Sequence, residues 1–144
     1  MHVAAVLKRK GSRIISAAPD DTVAAVTRLL TEHRIGAVLV LSGDGQPVGI
    51  LSERDIVRAV AREGAMALDR PAADLMTREL ITATPTDTVA DMMAVMTERR
   101  IRHVPILESG RVTGVISIGD VVKARIDDAE LEVESLRGYV AGMG

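Results

Sequence analysis

The chain has 144 residues, 47% apolar and 26% charged, with a formal net charge of −2, a size and balance suited to one domain or two small halves sharing a core. It contains no Cys, no Phe, no Trp and a single Tyr, which excludes disulfides, thiolate zinc sites and a Cys nucleophile and argues against the aromatic platforms on which single-stranded nucleic acids stack. The lack of a basic surplus argues against duplex binding as well.

The first segment, MHVAAVLKRKG, is too short an apolar run and carries its charge on the wrong side for a secretory signal. No run of about 20 apolar residues exists to span a membrane, so a cytoplasmic protein is expected. The segment reads as a short helix leading into a strand, RIISAAP. Asp20 or Asp21 is then placed to cap a helix whose apolar residues, Val23, Val26, Leu29 and Leu30, recur at helical spacing. AVLVL reads as a buried strand, Ser42-Gly43-Asp44-Gly45 as a turn, and VGIL as the next strand. Ser52 stands at the entrance to a second helix with Asp55 in its first turn, the shape of a capping box with Asp in place of Glu. AREGAMALDRPAADLMTREL, with Gly64 and Pro71, follows as a packed connector ending in a short helix.

The same order then runs again. Thr86 or Asp87 is placed to cap a helix carrying Val89, Met92, Met93 and Met96, followed by the strand VPIL, a turn at Ser109-Gly110, the strand TGVI, and Ser117 with Asp120. Asp21-Thr22-Val23 answers Asp87-Thr88-Val89, and GILSERDIV, from Gly49, returns from Gly114 as GVISIGDVV. One residue is lost between the copies, inside the turn, where a change of length is tolerated. Two copies are too few for a solenoid, so a closed pseudo-symmetric pair is expected. Beyond Arg125, Ile126, Ala129, Val133, Leu136 and Val140 share one helix face with acids opposite, suited to docking on the chain itself or to contact with a second subunit.

A serine and an acid at a helix start are explained by capping alone. Capping does not explain the repeated Gly before them, nor the repeated β-α-β-β-α order. In these features the chain resembles the tandem cystathionine-β-synthase (CBS) domain pair, whose repeats end in G-h-h-[ST]-x-x-D-h-h: Gly49 to Val57 and Gly114 to Val122 both fit. Arg34-Ile-Gly-Ala-Val-Leu-Val and Arg100-Ile-Arg-His-Val-Pro-Ile resemble the family's middle strand. The resemblance implies an α/β (α+β) fold of two β-α-β-β-α repeats packed sheet to sheet, with repeats at 3–66 and 67–125 and a C-terminal helix or tail at 126–144.

The resemblance also implies two clefts, each able to hold an adenosine ligand such as AMP, ADP, ATP, NAD(H) or an S-adenosyl compound. Asp55 and Asp120 would take the ribose hydroxyls and Ser52 and Ser117 would assist. The segments Ser16 to Ala18, Ile35 to Ala37, Thr82 to Thr84 and Ile101 to His103 would flank the adenine. A carboxylate is a double acceptor suited to a vicinal diol, and a helix N-terminus offers N–H groups to phosphate. The expected protein is a non-catalytic energy or redox sensor, a homodimer through its CBS repeats that acts on an unknown regulated protein. The alternative is a scaffold dimer with vestigial sites.

The copies are not identical. Leu39 answers Pro105, Arg54 answers Gly119, and Gly36-Ala37 answer Arg102-His103, so unequal clefts are expected, with Arg102 and His103 as phosphate-facing groups of the cleft that carries Asp120. His2, His33 and His103 lack metal-ligand spacing. No Gly-x-Ser-x-Gly elbow and no G-x-x-x-x-G-K-[ST] loop occurs. The methionines of the second repeat read as core filler.

Overall fold

The computed structural model describes residues 1–11 and 13–143. In chain order its elements are α1 (Val3–Lys10), β1 (Ser16–Ala17), α2 (Val23–His33), β2 (Ala37–Leu41), β3 (Pro47–Ser52), α3 (Glu53–Glu63), a 3-10 segment (Gly64–Asp69), α4 (Ala72–Leu75), α5 (Val89–Arg99), β4 (His103–Glu108), β5 (Arg111–Ser117) and α6 (Ile118–Met143). The second motif helix and the tail form one uninterrupted helix, α6.

The two halves repeat each other down to the register. In the first, β1 runs parallel to β2 with Ala17 opposite Val40, and β2 pairs antiparallel with β3. In the second, β4 pairs antiparallel with β5, and the first strand shrinks to one parallel bridge, Ala83 opposite Ile106. Side chains alternate across the strands. Val38 and Val40 enter a core with Val23, Val26, Leu51 and Ile56. Val104 and Ile106 enter a second core with Met92, Met96, Ile116 and Val121. The intervening residues Leu39 and Pro105 are buried too, but outside both cores, on the faces that the repeats turn towards each other.

Both first helices are capped one residue later than the sequence suggests. Thr22 accepts from the Ala25 N–H, and Thr88 forms a capping box with Asp91. The acids before them do other work: Asp21 Oδ2 accepts from Ala18 N and Asp87 Oδ2 from Thr84 N, each at 2.8 Å. They close the turn ahead of the helix instead of capping it, because the first helical N–H groups, of Val23 and Val89, are already taken by the carbonyls of Arg70 and Met1.

Those carbonyls expose the main departure from a chain of self-contained repeats. The opening helices are exchanged. Val3 N donates to Asp87 O, and Ala72 N donates to Asp21 O. Val3, Val6 and Leu7 of α1 therefore belong to the core of the second repeat, while Ala72 and Met76 belong to that of the first. Three apolar side chains of this size contribute about 1.5–3 kcal/mol each when fully buried, so α1 is an integral part of its neighbour's core. The exchange also accounts for the repeated glycines. A β-carbon at Gly114 would lie 2.5 Å from Leu7 Cδ2, and one at Gly49 would lie 2.5 Å from Met76 Sδ. A larger residue at either glycine would force the visiting side chain to shift.

Candidate functional site: two clefts at the repeated motif

Each motif helix starts with the same local bonds. Ser52 Oγ accepts from Asp55 N at 3.2 Å, while Ser52 N donates to Asp55 Oδ2 at 3.1 Å; the same pair of bonds joins Ser117 and Asp120 at 3.1 and 2.8 Å. The helix start is tied to the middle strand by Glu53 N donating to Gly36 O and Ile118 N donating to Arg102 O. Capping box and strand thus fix each Asp at the rim between the two repeats, with one carboxylate oxygen committed to the cap. Among the described residues, the remaining oxygen of Asp55 makes no hydrogen bond.

Asp55 lines a cavity of about 470 Å³ built from both repeats, within the usual range for small-molecule sites. The first repeat supplies Gly36, Ser52, Arg54, Asp55 and Arg58, the connector Thr77 and Glu79 to Ile81, and the second repeat Arg100 to His103 with Pro105. Arg100 adopts a left-handed conformation (φ 55°) that ends α5 and turns Ile101 and Arg102 towards this wall. Among the described residues the guanidinium groups of Arg54, Arg58, Arg100 and Arg102 form no ion pair. Aliphatic Ile50, Leu80, Ile81 and Ile101 supply flat apolar surface in a chain that lacks Phe and Trp.

Gly36 keeps the space between the repeats open. A β-carbon there would approach Glu53 Oε1 to 3.0 Å and the His103 ring to 3.4 Å. Burial holds the His103 pKa below its ordinary value of 6.5; the Lys10 and Arg102 charges add to the depression, and Asp120 opposes it. The ring is therefore neutral near pH 7.

The Asp120 side is different. Lys10, at the end of α1, places Nζ 2.7 Å from Asp120 Oδ2 and 2.8 Å from Val115 O. Burial pushes the Asp120 carboxyl up, but the Lys10 ammonium and the Ser117 groups outweigh it and hold the pKa below 3.8. In the first repeat the carbonyl matching Val115 O is Ile50 O, which accepts from Thr77 N at 2.8 Å. The contrast arises because α4 stops at Leu75 and the chain runs on extended, whereas α1 continues to Lys10. The cavity beside Asp120 is about 220 Å³, lined by Arg9, Lys10, Lys123 and Asp127 among others.

The CBS domain family model matches this chain twice, over residues 5–62 and 72–127. The chain belongs to the CBS domain family. Similar CBS proteins include a solved structure of the CBS-domain containing protein ATU1752 from Agrobacterium tumefaciens, 43% identical, covering 86% of this chain and 92% of that one with a TM-score of 0.84. CBS domain protein PAE2072 from Pyrobaculum aerophilum, solved in complex with AMP, is 32% identical over 83% of this chain and 89% of that one, with a TM-score of 0.74. The mitochondrial CBS domain-containing protein CBSX3 of Arabidopsis thaliana is 38% identical over 127 residues, 85% of this chain and 62% of that protein. This chain therefore spans a little under two thirds of that relative.

The structure brings Ser52, Arg54, Asp55, Ile101, Arg102 and His103 to one cavity. Arg102 and His103, expected beside Asp120, line the Asp55 cavity, where the middle strand of the second repeat faces the motif of the first, and His103 also feels the charges of Lys10 and Asp120. Ser16, Ala18, Ile35, Ala37, Thr82 and Thr84 do not line this cavity; the connector residues just ahead of Thr82 take that place. Asp120 contributes to the smaller cavity, and Ser117 caps its helix. Arg58, one turn beyond Asp55, was open to detection by helical spacing, whereas Glu79 and Lys10 carry no local signal, since only the helix exchange brings them to the motifs. Among the described residues no His, Asp and Glu cluster could hold a metal, and no helix is long and apolar enough to cross a membrane.

Proposed function

We propose that this CBS pair is a non-catalytic sensor that holds one adenosine-containing ligand, AMP, ADP or ATP with NAD(H) as the alternative, in the cleft at Asp55. The observation that carries the reading is that Asp55, which keeps one carboxylate oxygen without a hydrogen bond among the described residues, lines a cavity walled by both repeats. A vicinal diol would bond that oxygen, the purine would lie against Leu80, Ile81 and Ile101, and the phosphates would meet the unpaired arginines. AMP in the related Pyrobaculum structure supports the ligand class. Because the site joins two half-sites from different repeats, occupancy would stiffen their arrangement and pass the signal to a regulated partner.

The thermal transition tests the reading. A ligand that binds only the folded chain at about 100 times its Kd stabilises it by about 2.7 kcal/mol, so AMP should raise Tm clearly, guanine nucleotides less, and Asp55→Ala should abolish most of the AMP shift. No shift with any adenosine compound at millimolar concentration would leave the scaffold reading. Homodimerisation through the CBS repeats is proposed alongside, on the exposed apolar side chains Val57 of α3 and its equivalent Val122 of α6. Exposed patches of this kind mark interfaces; light scattering checks it.

A further inference from the structure

Beyond Asp128, α6 lines neither of the two cavities. Val121 and Ala124 bury one stripe of α6 in the second core, and Asp127 and Asp128 hold it to Arg9 and to the Met1 amino group. From Ala129 to Val140 every residue is exposed. The helix neither docks back on the chain nor becomes polar: Ile126 is 53% exposed, Val133 47%, Leu136 61% and Val140 67%. A projecting stretch of about this length is marginal alone in water.

Most of its apolar residues follow a heptad, Leu131 and Tyr139 standing off the seam. Ile126, Val133 and Val140 fall at one seam position (a), with Val122, Ala129 and Leu136 at the other (d). Every residue at the first position is β-branched, and Leu stands at the second in the outer heptad, the combination that favours two parallel strands. The flanking charges agree. In a parallel, in-register pair, residue g of one helix faces residue e of the next heptad in its partner, which sets Arg125 against Glu130 and Glu132 against Arg137. Both are opposite-charge pairs, and the two-fold axis makes each occur twice. The seam starts at Val122, on the surface of the second repeat.

We infer that the C-terminal half of α6 forms a parallel, in-register, two-stranded coiled coil with the same helix of a second copy of this chain. The occupant of the stripe is a second copy because its own flanking charges are self-complementary in this alignment. The inference does not rest on the ligand-binding reading.

The absence of Cys makes single-cysteine cross-linking of the full chain a direct test. Val133→Cys and Leu136→Cys should each oxidise to a disulfide-linked dimer nearly completely, whereas Glu134→Cys, off the seam, should remain more than nine-tenths monomeric on a non-reducing gel. By sedimentation equilibrium, Arg125→Glu should raise the dimer dissociation constant at least tenfold, and adding Glu130→Arg to that chain should restore it to within about threefold. Far-UV circular dichroism confirms that each variant is folded. Failure of Val133→Cys to link to itself, with or without linkage to Leu136→Cys in a mixture, overturns the parallel pair. So does a monomer at tens of micromolar, or a second charge reversal that fails to restore assembly.

Discussion

Lys10 Nζ stands 2.7 Å from Asp120 Oδ2, the same oxygen that accepts from Ser117 N, whereas the equivalent Asp55 Oδ2 is bonded only within its own capping box. Counted from Leu7 and Met76, the residues over the two glycines, Lys10 corresponds to Glu79 in the other half. One cleft therefore receives a carboxylate and the other a cation from equivalent places.

A ribose at Asp120 would meet a carboxylate already paired with Lys10. In an Asp55→Ala background, which isolates the second cleft, Lys10→Met should tighten adenosine about fivefold, because a partly exposed ion pair is worth up to about 1 kcal/mol. Isothermal titration of the two chains reads the ratio; an unchanged or weaker constant for the Lys10 variant counts against competition.

At the first cleft, Asp55→Ala should weaken adenosine ten- to a hundredfold, the worth of charge-assisted bonds of about 1.5–3 kcal/mol. Its cost to folding should be about 1 kcal/mol, that of a broken capping box. Arg102→Ala should weaken AMP more than adenosine, with the gap closing as salt rises. Equal losses for both ligands would remove Arg102 from phosphate recognition.

His103 gives the folded state a pH signature. Its pKa is depressed from 6.5, with burial the largest cause, so below about 6.5 the unfolded chain binds more protons than the folded one and stability falls as pH drops towards the folded value. Denaturant melts between about pH 8 and pH 5 should show this fall, and His103→Gln should flatten it. NMR titration of Lys10→Met should find the His103 pKa raised, since a repelling charge has gone.

The exchanged helices predict a coupled pair of substitutions. Gly114→Ala should cost about 1–3 kcal/mol through overpacking against Leu7. Leu7→Ala should itself destabilise by leaving a cavity, but the double variant should be less damaged than the sum, as residues in contact are not additive. Gly49→Ala should be the worse of the two glycine changes, because its β-carbon also lies 3.1 Å from the backbone oxygen of Thr77. Additive losses in the urea-unfolding cycle would show that Leu7 does not press on Gly114.

Much of this was legible in the sequence because it is local and stated twice. The offset between the copies fixed which strands correspond, and Ala17 opposite Val40 and Ala83 opposite Ile106 keep that correspondence in space. Ser52 and Asp55 announced a capping box, and the box is there. What stayed hidden depends on crossings between the halves. No spacing rule connects Lys10 to Asp120 or Leu7 to Gly114, and none says that Arg102 faces the motif of the other repeat. The helix caps lie one residue beyond the expected ones because Asp20-Asp21-Thr22 and Thr86-Asp87-Thr88 each offer three capping residues side by side, and the bonds to Arg70 and Met1 decide which begins the helix.

The exchange of α1 for α4 also sets a timetable for biosynthesis. α1 leaves the ribosome before any of the residues that receive it, and the bond from Val3 to Asp87 has to wait until the chain has grown past the start of α5. Until then Val3, Val6 and Leu7 lack the core that receives them, whereas the first repeat has all its core residues once Ala72 and Met76 have been made. The first half waits for α4 and the second half needs the earliest residues of the chain. The contact between Val3 and Asp87 is a long-range one, of the kind that forms slowly.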